Sequence, residues 1–368
     1  MRKIIITAFV ILFAALIVIF KIQNEQITDA TANTTKIGVL LSGSRSDQNY
    51  CQTHYEAIEA IRSKLNLNVV YRENVDSNCE KVLEQLIKNE NCQLIVSTSF
   101  NFCEDVKKAA EQYPDIYFLQ MSGNTYRHNL TSFVGRMYQA RYLSGIVAGQ
   151  KTKTGHIGYV ASLPIPEVIQ GINAFMLGVK SVNQNACLHV SFANSWTDDK
   201  QAKAATELIL DRYPIDILTM QTDSNEPCRL ADKRGVLIIG SNRDNSAMYP
   251  DTYLTACIWK WENYYSHQIL SFLQKKFNPS VEFMDLEDDM VGLSPFTPHV
   301  SPETRKQVDN AIKKLQSWKF DVFYGPIQDN HGILRVDSDE SMSDDEMWNK
   351  FNWYVEGVIV EETGPGGA

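Results

Sequence analysis

Apolar and polar positions follow two rhythms that take turns along the chain. Short apolar runs (Lys36 to Leu41, Asn68 to Tyr71, Gln93 to Val96, Ile116 to Leu119) each give way to a turn or to helical spacing, as in Tyr55 to Leu65, the stretch through Leu83 and Leu86, and the stretch from Cys103. A run such as Leu94-Ile95-Val96, apolar throughout, suits a strand covered on both faces, the condition of a parallel sheet. Thr131 to Val134 is one more extended stretch, ended by Gly135-Arg136, and a helix from Tyr138 leads to Gln150. After Lys151-Thr152-Lys153-Thr154-Gly155 the alternation restarts with His156 to Val160, a helix through Val168 to Val179, Leu188 to Phe192, a helix from Lys200 to Arg212, Ile215 to Thr219 and Val236 to Ile239. Strands alternating with helices predict right-handed crossovers and a doubly wound parallel sheet with helices on both faces. Two blocks of similar size predict two such α/β lobes. Tyr253 to Ile258 and a helix from Glu262 to Lys275 then return the chain to the first lobe, so that the crossings form a hinge.

This reading divides the chain into a membrane-directed segment at 1-22, a linker at 23-35, a first lobe at 36-135 and 261-290, a second lobe at 136-260 and 291-335, and an acidic segment and tail at 336-368. Arg2 and Lys3 precede the apolar run Ile4 to Phe20, which Lys21 closes. That is the pattern of a signal peptide or an N-terminal hydrophobic anchor helix, and either one exports the remainder. No small-x-small cleavage site and no lipid-accepting cysteine follows, which favours an uncleaved anchor on the outer face of a membrane.

Composition narrows the function. The chain has 368 residues, 44% of them apolar and 21% charged, enough for two cores. A formal charge of -9 with no Lys/Arg block argues against nucleic acid or an anionic membrane surface as partner. Seven cysteines (51, 79, 92, 103, 187, 228, 257) form no C-x-x-C, and the seven histidines are scattered, so no metal site is expected. Cys79 and Cys92 flank a helical stretch that would hold them too far apart to bond.

In a parallel α/β sheet, the loops after the carboxyl ends of the strands line the ligand crevice. Here they are Asp47-Gln48-Asn49-Tyr50, Thr98-Ser99-Phe100-Asn101, Met121-Ser122-Gly123, Asn194-Ser195-Trp196, Gln221-Thr222-Asp223-Ser224, Ser241-Asn242-Arg243-Asp244 and Trp259-Lys260-Trp261. They hold aromatics, amides, hydroxyls and carboxylates, and neither histidine nor cysteine. No G-x-S-x-G elbow, dinucleotide fingerprint or P-loop occurs. Asp47, Asp223 and Asp244 suit hydrogen bonding to a ligand better than glycoside cleavage. Trp196 stands at a strand-to-helix turn, where an indole can stack on a flat ligand, or else fill the core beside a helix cap at Asn194 or Thr197. Trp259 and Trp261, two apart on an extended stretch, read as packing from one face.

Taken in order, these motifs carry a resemblance. With Gly135-Arg136, Arg141-Tyr142-Leu143, Gly145, Ile165-Pro166-Glu167-Val168, Gly171-Ile172-Asn173-Ala174-Phe175, Leu254-Thr255-Ala256 and Gly325-Pro326-Ile327, the chain from Lys36 to about Gly357 resembles the basic-membrane-protein family of ABC-transporter substrate-binding proteins, relatives of purine-nucleoside receptors. The resemblance implies a type I periplasmic-binding-protein fold and no enzymatic activity. It implies a purine base or nucleoside held between two lobes, with Tyr50 and Trp196 sandwiching the base. Asp223 would accept from the amine or a ring N–H, with Ser99, Ser122 and Asn194 as neutral partners and Asn242, Asp244 and Lys260 facing any ribose. It further implies a monomer that hands its ligand to an ABC permease, without cofactor or metal. A membrane-anchored sensor built on the same clamp is the alternative, and a nucleoside hydrolase or phosphorylase a weaker one. Asn242 replaces the family's ribose-binding aspartate, Lys260 an asparagine and Cys51 an asparagine, which leaves a bare base or another ligand open.

Overall fold

The computed structural model describes residues 35–317 and 320–361; the apolar run Ile4 to Phe20 lies outside them. Among the described residues no helix is long and apolar enough to cross a membrane. The chain forms two compact units. Among the described residues, one is built from 35–45, His54–Val134 and Trp261–Glu282, the other from Ser46–Thr53, Gly135–Lys260, 283–317 and 320–361.

The first sheet has six strands: β1 (Lys36–Leu40), β2 (Asn68–Arg72), β3 (Leu94–Ser97), β4 (Tyr117–Met121), β5 (Leu130–Gly135) and β11 (Val281–Met284), in the order β11-β5-β4-β3-β1-β2. Strands β1 to β5 pair in parallel, and β3 is buried along its whole length, as a strand covered on both faces must be. The second sheet comprises β6 (His156–Ala161), β7 (Cys187–Phe192), β8 (Ile217–Gln221), β9 (Leu237–Asn242), β10 (Tyr253–Trp259), β12 (Val291–Leu293) and β15 (Val358–Val360), in the order β12-β10-β9-β8-β6-β7-β15. All its pairings are parallel except β10 with β12. Each sheet therefore reverses direction beside its first strand, at β1/β3 and at β6/β8. Loops leaving the carboxyl ends of strands diverge there and leave room for a ligand.

Helix starts follow local chemistry. Helix α1 (Tyr50–Leu65) is preceded by Asp47, whose carboxylate accepts from the backbone N–H of Asn49 (2.8 Å), Cys51 (2.9 Å) and Gln52 (3.1 Å). An acceptor at this place satisfies amide donors that the first helical turn leaves open. In the helix over Pro302–Gln316, Ser301 caps the Thr304 N–H at 3.1 Å and proline takes the first helical position, where its missing N–H costs nothing.

In the second unit two helices meet through glycine. In the helices Met137–Lys151 and Pro166–Lys180, a Cβ on Gly145 would lie 2.1 Å from the Phe175 carbonyl oxygen, and one on Gly178 would lie 2.0 Å from that of Tyr142. The two backbones approach closely because neither residue carries a side chain.

In the first unit, β5 and the helix Trp261–Leu273 share an aromatic core. His54 stacks on Trp261 with centroids 4.3 Å apart and bonds Tyr265 Oη through Nδ1 at 2.7 Å, and Phe133 packs against Trp261, Tyr264 and Tyr265. Trp259 and Trp261 do not share the one extended face that their spacing predicts. The strand ends at Trp259, Trp261 opens the next helix, and the two indoles serve different clusters. No disulfide joins any of the seven cysteines.

Candidate functional site

In the second unit, one residue gathers the loops at the carboxyl ends of β8, β9 and β10. Asp223 follows β8 by two positions. Its N–H donates to the Trp196 carbonyl at 2.8 Å, and its own carbonyl accepts from Asn49 Nδ2 at 2.7 Å. Its Oδ1 accepts from Asn242 Nδ2 at 2.9 Å, and the same amide nitrogen donates to Asn49 Oδ1 at 2.7 Å. Asn242 Oδ1 in turn accepts from Trp259 Nε1 at 3.1 Å. Thr222 Oγ1 donates to the Trp196 carbonyl at 2.7 Å, so two successive residues hold the Trp196 turn. Trp196 and Tyr50, 146 positions apart by residue number, are thus tied to opposite sides of the Asp223 peptide, the first directly and the second through its neighbour Asn49.

Arg141, buried inside the helix Met137–Lys151, underpins this arrangement. Its guanidinium donates to the Met220 carbonyl and to Ser241 Oγ, both at 2.7 Å, which fixes the ends of β8 and β9 at one level. Gly135 leaves space for the Trp259 ring, whose nearest carbon would lie 2.3 Å from a Cβ placed there.

Backbone geometry marks the same loops. Asn242 (φ 68°) and Asn194 (φ 52°) of the second unit, with Gln48 (φ 56°) just before α1, adopt left-handed conformations, as does Ser122 (φ 58°) in the first unit. Such conformations cost side-chain-bearing residues energy and cluster where a loop is shaped for a ligand.

The electrostatics single out Asp223. Burial first, then the neighbouring Asp47 carboxylate, push its carboxyl up to about 8, against the hydrogen bond from Asn242 that pulls the other way. Glu167, at the start of the helix Pro166–Lys180, adds a smaller push and is itself lifted by burial to about 7. At neutral pH Asp223 is therefore largely a neutral acid, with one oxygen able to donate and the other to accept.

The remaining predicted residues take these places. Asp47 spends its carboxylate on α1, as above, and its carbonyl accepts from Asn225 Nδ2 at 3.4 Å. Asp244 is exposed and accepts from the Ser246 N–H at 2.9 Å, while Lys260 Nζ pairs with Asp289 at 2.5 Å. Asn194 is exposed and Trp196 partly exposed at the turn after β7. The cap of the following helix (Asp199–Arg212) is neither Asn194 nor Thr197 but Asp198, which accepts from Lys200 N and Gln201 N. In the first unit, Ser99 Oγ accepts from Asn101 N at 3.3 Å, and Ser122 follows β4 with its N–H on the Phe133 carbonyl at 2.8 Å. Asn49, Arg141 and Trp259 are site residues that sequence reasoning misses. Their only trace was membership of the quoted motifs, because strand order, invisible in periodicity, is what brings them together.

A pair of largely parallel α/β sheets, each reversing beside its first strand, with polar loops gathered past the strand ends, is the architecture of type I periplasmic binding proteins. A solved ABC transporter solute-binding protein from Conexibacter woesei superposes with a TM-score of 0.66 at 19% identity, covering 78% of this chain and 98% of that one. The family model of PnrA-like ABC transporter substrate-binding proteins matches residues 34–319, and the chain belongs to this family, Bmp. It is accordingly a non-catalytic, ligand-binding component of an ABC transporter. It is 30% identical over 329 residues to a purine-binding protein of Brucella abortus, covering 88% of this chain and 92% of that protein. It is also 30% identical over 341 residues to a putative ABC transporter glucose-binding protein of Haloferax volcanii, covering 92% and 82%.

Proposed function

We propose that this protein captures a purine base or nucleoside outside the cytoplasm and delivers it to an ABC permease, anchored to the membrane by Ile4 to Phe20. The observation that carries the reading is the junction at Asp223, whose N–H holds the Trp196 turn at 2.8 Å and whose carbonyl holds Asn49, next to Tyr50, at 2.7 Å, with a carboxyl that burial lifts to about 8. As a neutral acid it presents a donor beside an acceptor, complementary to the amine and ring nitrogen on one edge of an aminopurine. Tyr50 and Trp196 supply faces for stacking, each ring contributing about 1–3 kcal/mol per base. Asn194, and Ser99 and Ser122 of the first unit, are proposed as neutral partners. Asn242, Asp244 and Lys260 are proposed to face a ribose, with Asp47 ordering the loop that carries Tyr50. Asn242 already serves Asn49, Asp223 and Trp259, which favours a bare base over a nucleoside.

The second reading is a sugar. It is favoured by the Haloferax relative and by the ease with which an indole stacks on a pyranose face. Thermal-shift and calorimetric titration of the full-length protein in detergent with adenine, adenosine and glucose separates the two. A purine shift that vanishes in Trp196→Ala and in Asp223→Ala supports the first reading. A shift with glucose and none with either purine overturns it.

A further inference from the structure

A second polar cluster lies in the same unit as Asp223 but at the other end of the sheet, where the strands begin. His156 opens β6, Cys187 opens β7 directly opposite it in register, and His189 stands two residues further along β7, on the same face as Cys187. Their ligand atoms converge. His156 Nδ1 lies 3.0 Å from His189 Nε2, and Cys187 Sγ lies 3.4 Å from each of these nitrogens.

We propose that His156, Cys187 and His189 form a binding site for one zinc-class divalent cation, independent of the solute-binding loops. Zinc bound tetrahedrally at about 2.0–2.1 Å from nitrogen and about 2.3 Å from sulfur separates its ligands by roughly 3.3–3.6 Å. The triangle needs only tenths of an ångström of adjustment to reach that spacing. Imidazole with thiolate is a donor set that selects zinc over calcium or magnesium, which take oxygen.

The surroundings match those of a metal-binding histidine. His189 Nδ1 faces Glu361 Oε1 at 3.3 Å, so the proton sits on Nδ1 and the Nε2 lone pair points into the triangle. Glu361 Oε2 is fixed by Arg212 Nη1 at 2.6 Å and by Tyr213 Oη at 3.1 Å, and the Tyr213 ring stacks on His189 at 3.7 Å. His189 and Glu361 are buried, whereas His156 and Cys187 are partly exposed, which gives an ion a way in and leaves a fourth position for water. Glu361 directly follows β15, so a bound ion ties β6, β7 and the strand at the sheet edge together.

The test uses the full-length protein, stripped with chelator and titrated with Co²⁺ as the probe. The expected result is uptake of one equivalent, with the visible bands of tetrahedral cobalt and a thiolate-to-cobalt charge-transfer band, both bleached by Zn²⁺. Cys187→Ser loses the charge-transfer band, and Glu361→Gln weakens Zn²⁺ binding by about 10-fold or more through the loosened His189. A second measurement on the unaltered protein needs no variant to fold: Zn²⁺ slows alkylation of Cys187 by iodoacetamide, mapped by mass spectrometry. Absence of tetrahedral bands at saturating Co²⁺, bands unchanged in Cys187→Ser, or alkylation of Cys187 indifferent to Zn²⁺ each overturns the site and leaves a hydrogen-bonded triad.

Discussion

In the first unit the first strand, β1, opens on Lys36, whose Nζ lies 3.3 Å from Glu90, and Arg72 of β2 reaches the same carboxylate at 2.9 Å. In the second unit the strand in the matching topological position opens on His156, beside Cys187 and His189. The strands end as differently as they begin. Past the carboxyl ends of the first sheet, Arg45 Nε donates to Glu73 Oε1 at 2.7 Å between the loops after β1 and β2, Thr98 Oγ1 donates to the Leu40 carbonyl at 2.7 Å, and Gln120 Nε2 to the Ser99 carbonyl at 2.9 Å. Past those of the second, side chain meets side chain across three loops through Asn49, Asp223 and Asn242. The same strand order thus carries an ion pair between two loops in one unit and an amide–carboxyl network across three in the other. Topology decides where loops converge; the side chains placed there decide what the convergence can bind.

The contrast can be broken most severely at the helix pair of the second unit. Gly178→Ala places a methyl where the Tyr142 carbonyl already stands, and is expected to lower stability by about 3 kcal/mol, the upper range for overpacking. Urea unfolding measures it. Should the variant unfold with the wild-type midpoint, the close approach of these helices is not a structural requirement.

Next in size is ligand affinity. Trp196→Ala is expected to weaken the best purine by roughly 5- to 150-fold, the equivalent of about 1–3 kcal/mol of stacking. Ser99→Ala, which removes one neutral hydrogen bond, is expected to cost about fivefold. Equal losses in isothermal titration would refute the greater weight given to stacking at Trp196.

The pH dependence of stability should also divide by unit. His54 in the first unit is depressed by burial to about 3, so the unfolded chain binds its proton first and stability falls as pH drops from about 6.5 towards 3. Asp223 in the second is raised to about 8, so the folded chain holds its proton longer and stability falls as pH rises from about 4 to 8. Asp223→Asn should therefore remove the fall in melting temperature between about pH 6.5 and 8, where His54 no longer contributes, and leave the profile below about pH 4 unchanged; a fall above pH 6.5 that persists refutes the assignment. The smallest effect is expected at Lys260. Its pair with Asp289 is largely solvent-exposed, and Lys260→Ala should change stability by no more than about 0.5 kcal/mol in the same melts.

How much of this could be read before the fold was known depends on the range over which each feature is encoded. Burial on both faces leaves its mark in consecutive residues, so Leu94-Ile95-Val96 announces a covered strand, and Ser301-Pro302 a helix start, without reference to anything distant. The two βα blocks, the break at Lys151 to Gly155 and the turns holding Trp196 and Asp223 follow from the same local rules. Nothing local says that Asn49 will bond Asp223, since their meeting depends on which loop lies beside β8. Trp261 left the extended stretch of Trp259 because a helix begins between them, and only the pocket made by His54 and Phe133 shows where that indole goes.

Scattered histidines argued against a metal site, yet the parallel register of β6 and β7 sets His156 against Cys187, 31 residues away, with His189 on the same face. Linear order thus established what each short stretch would become and which side chains were on offer. Partnership among those side chains waited on strand order and register, because hydrogen bonds and metal ligation act over about 3 Å in space, whatever the separation along the chain.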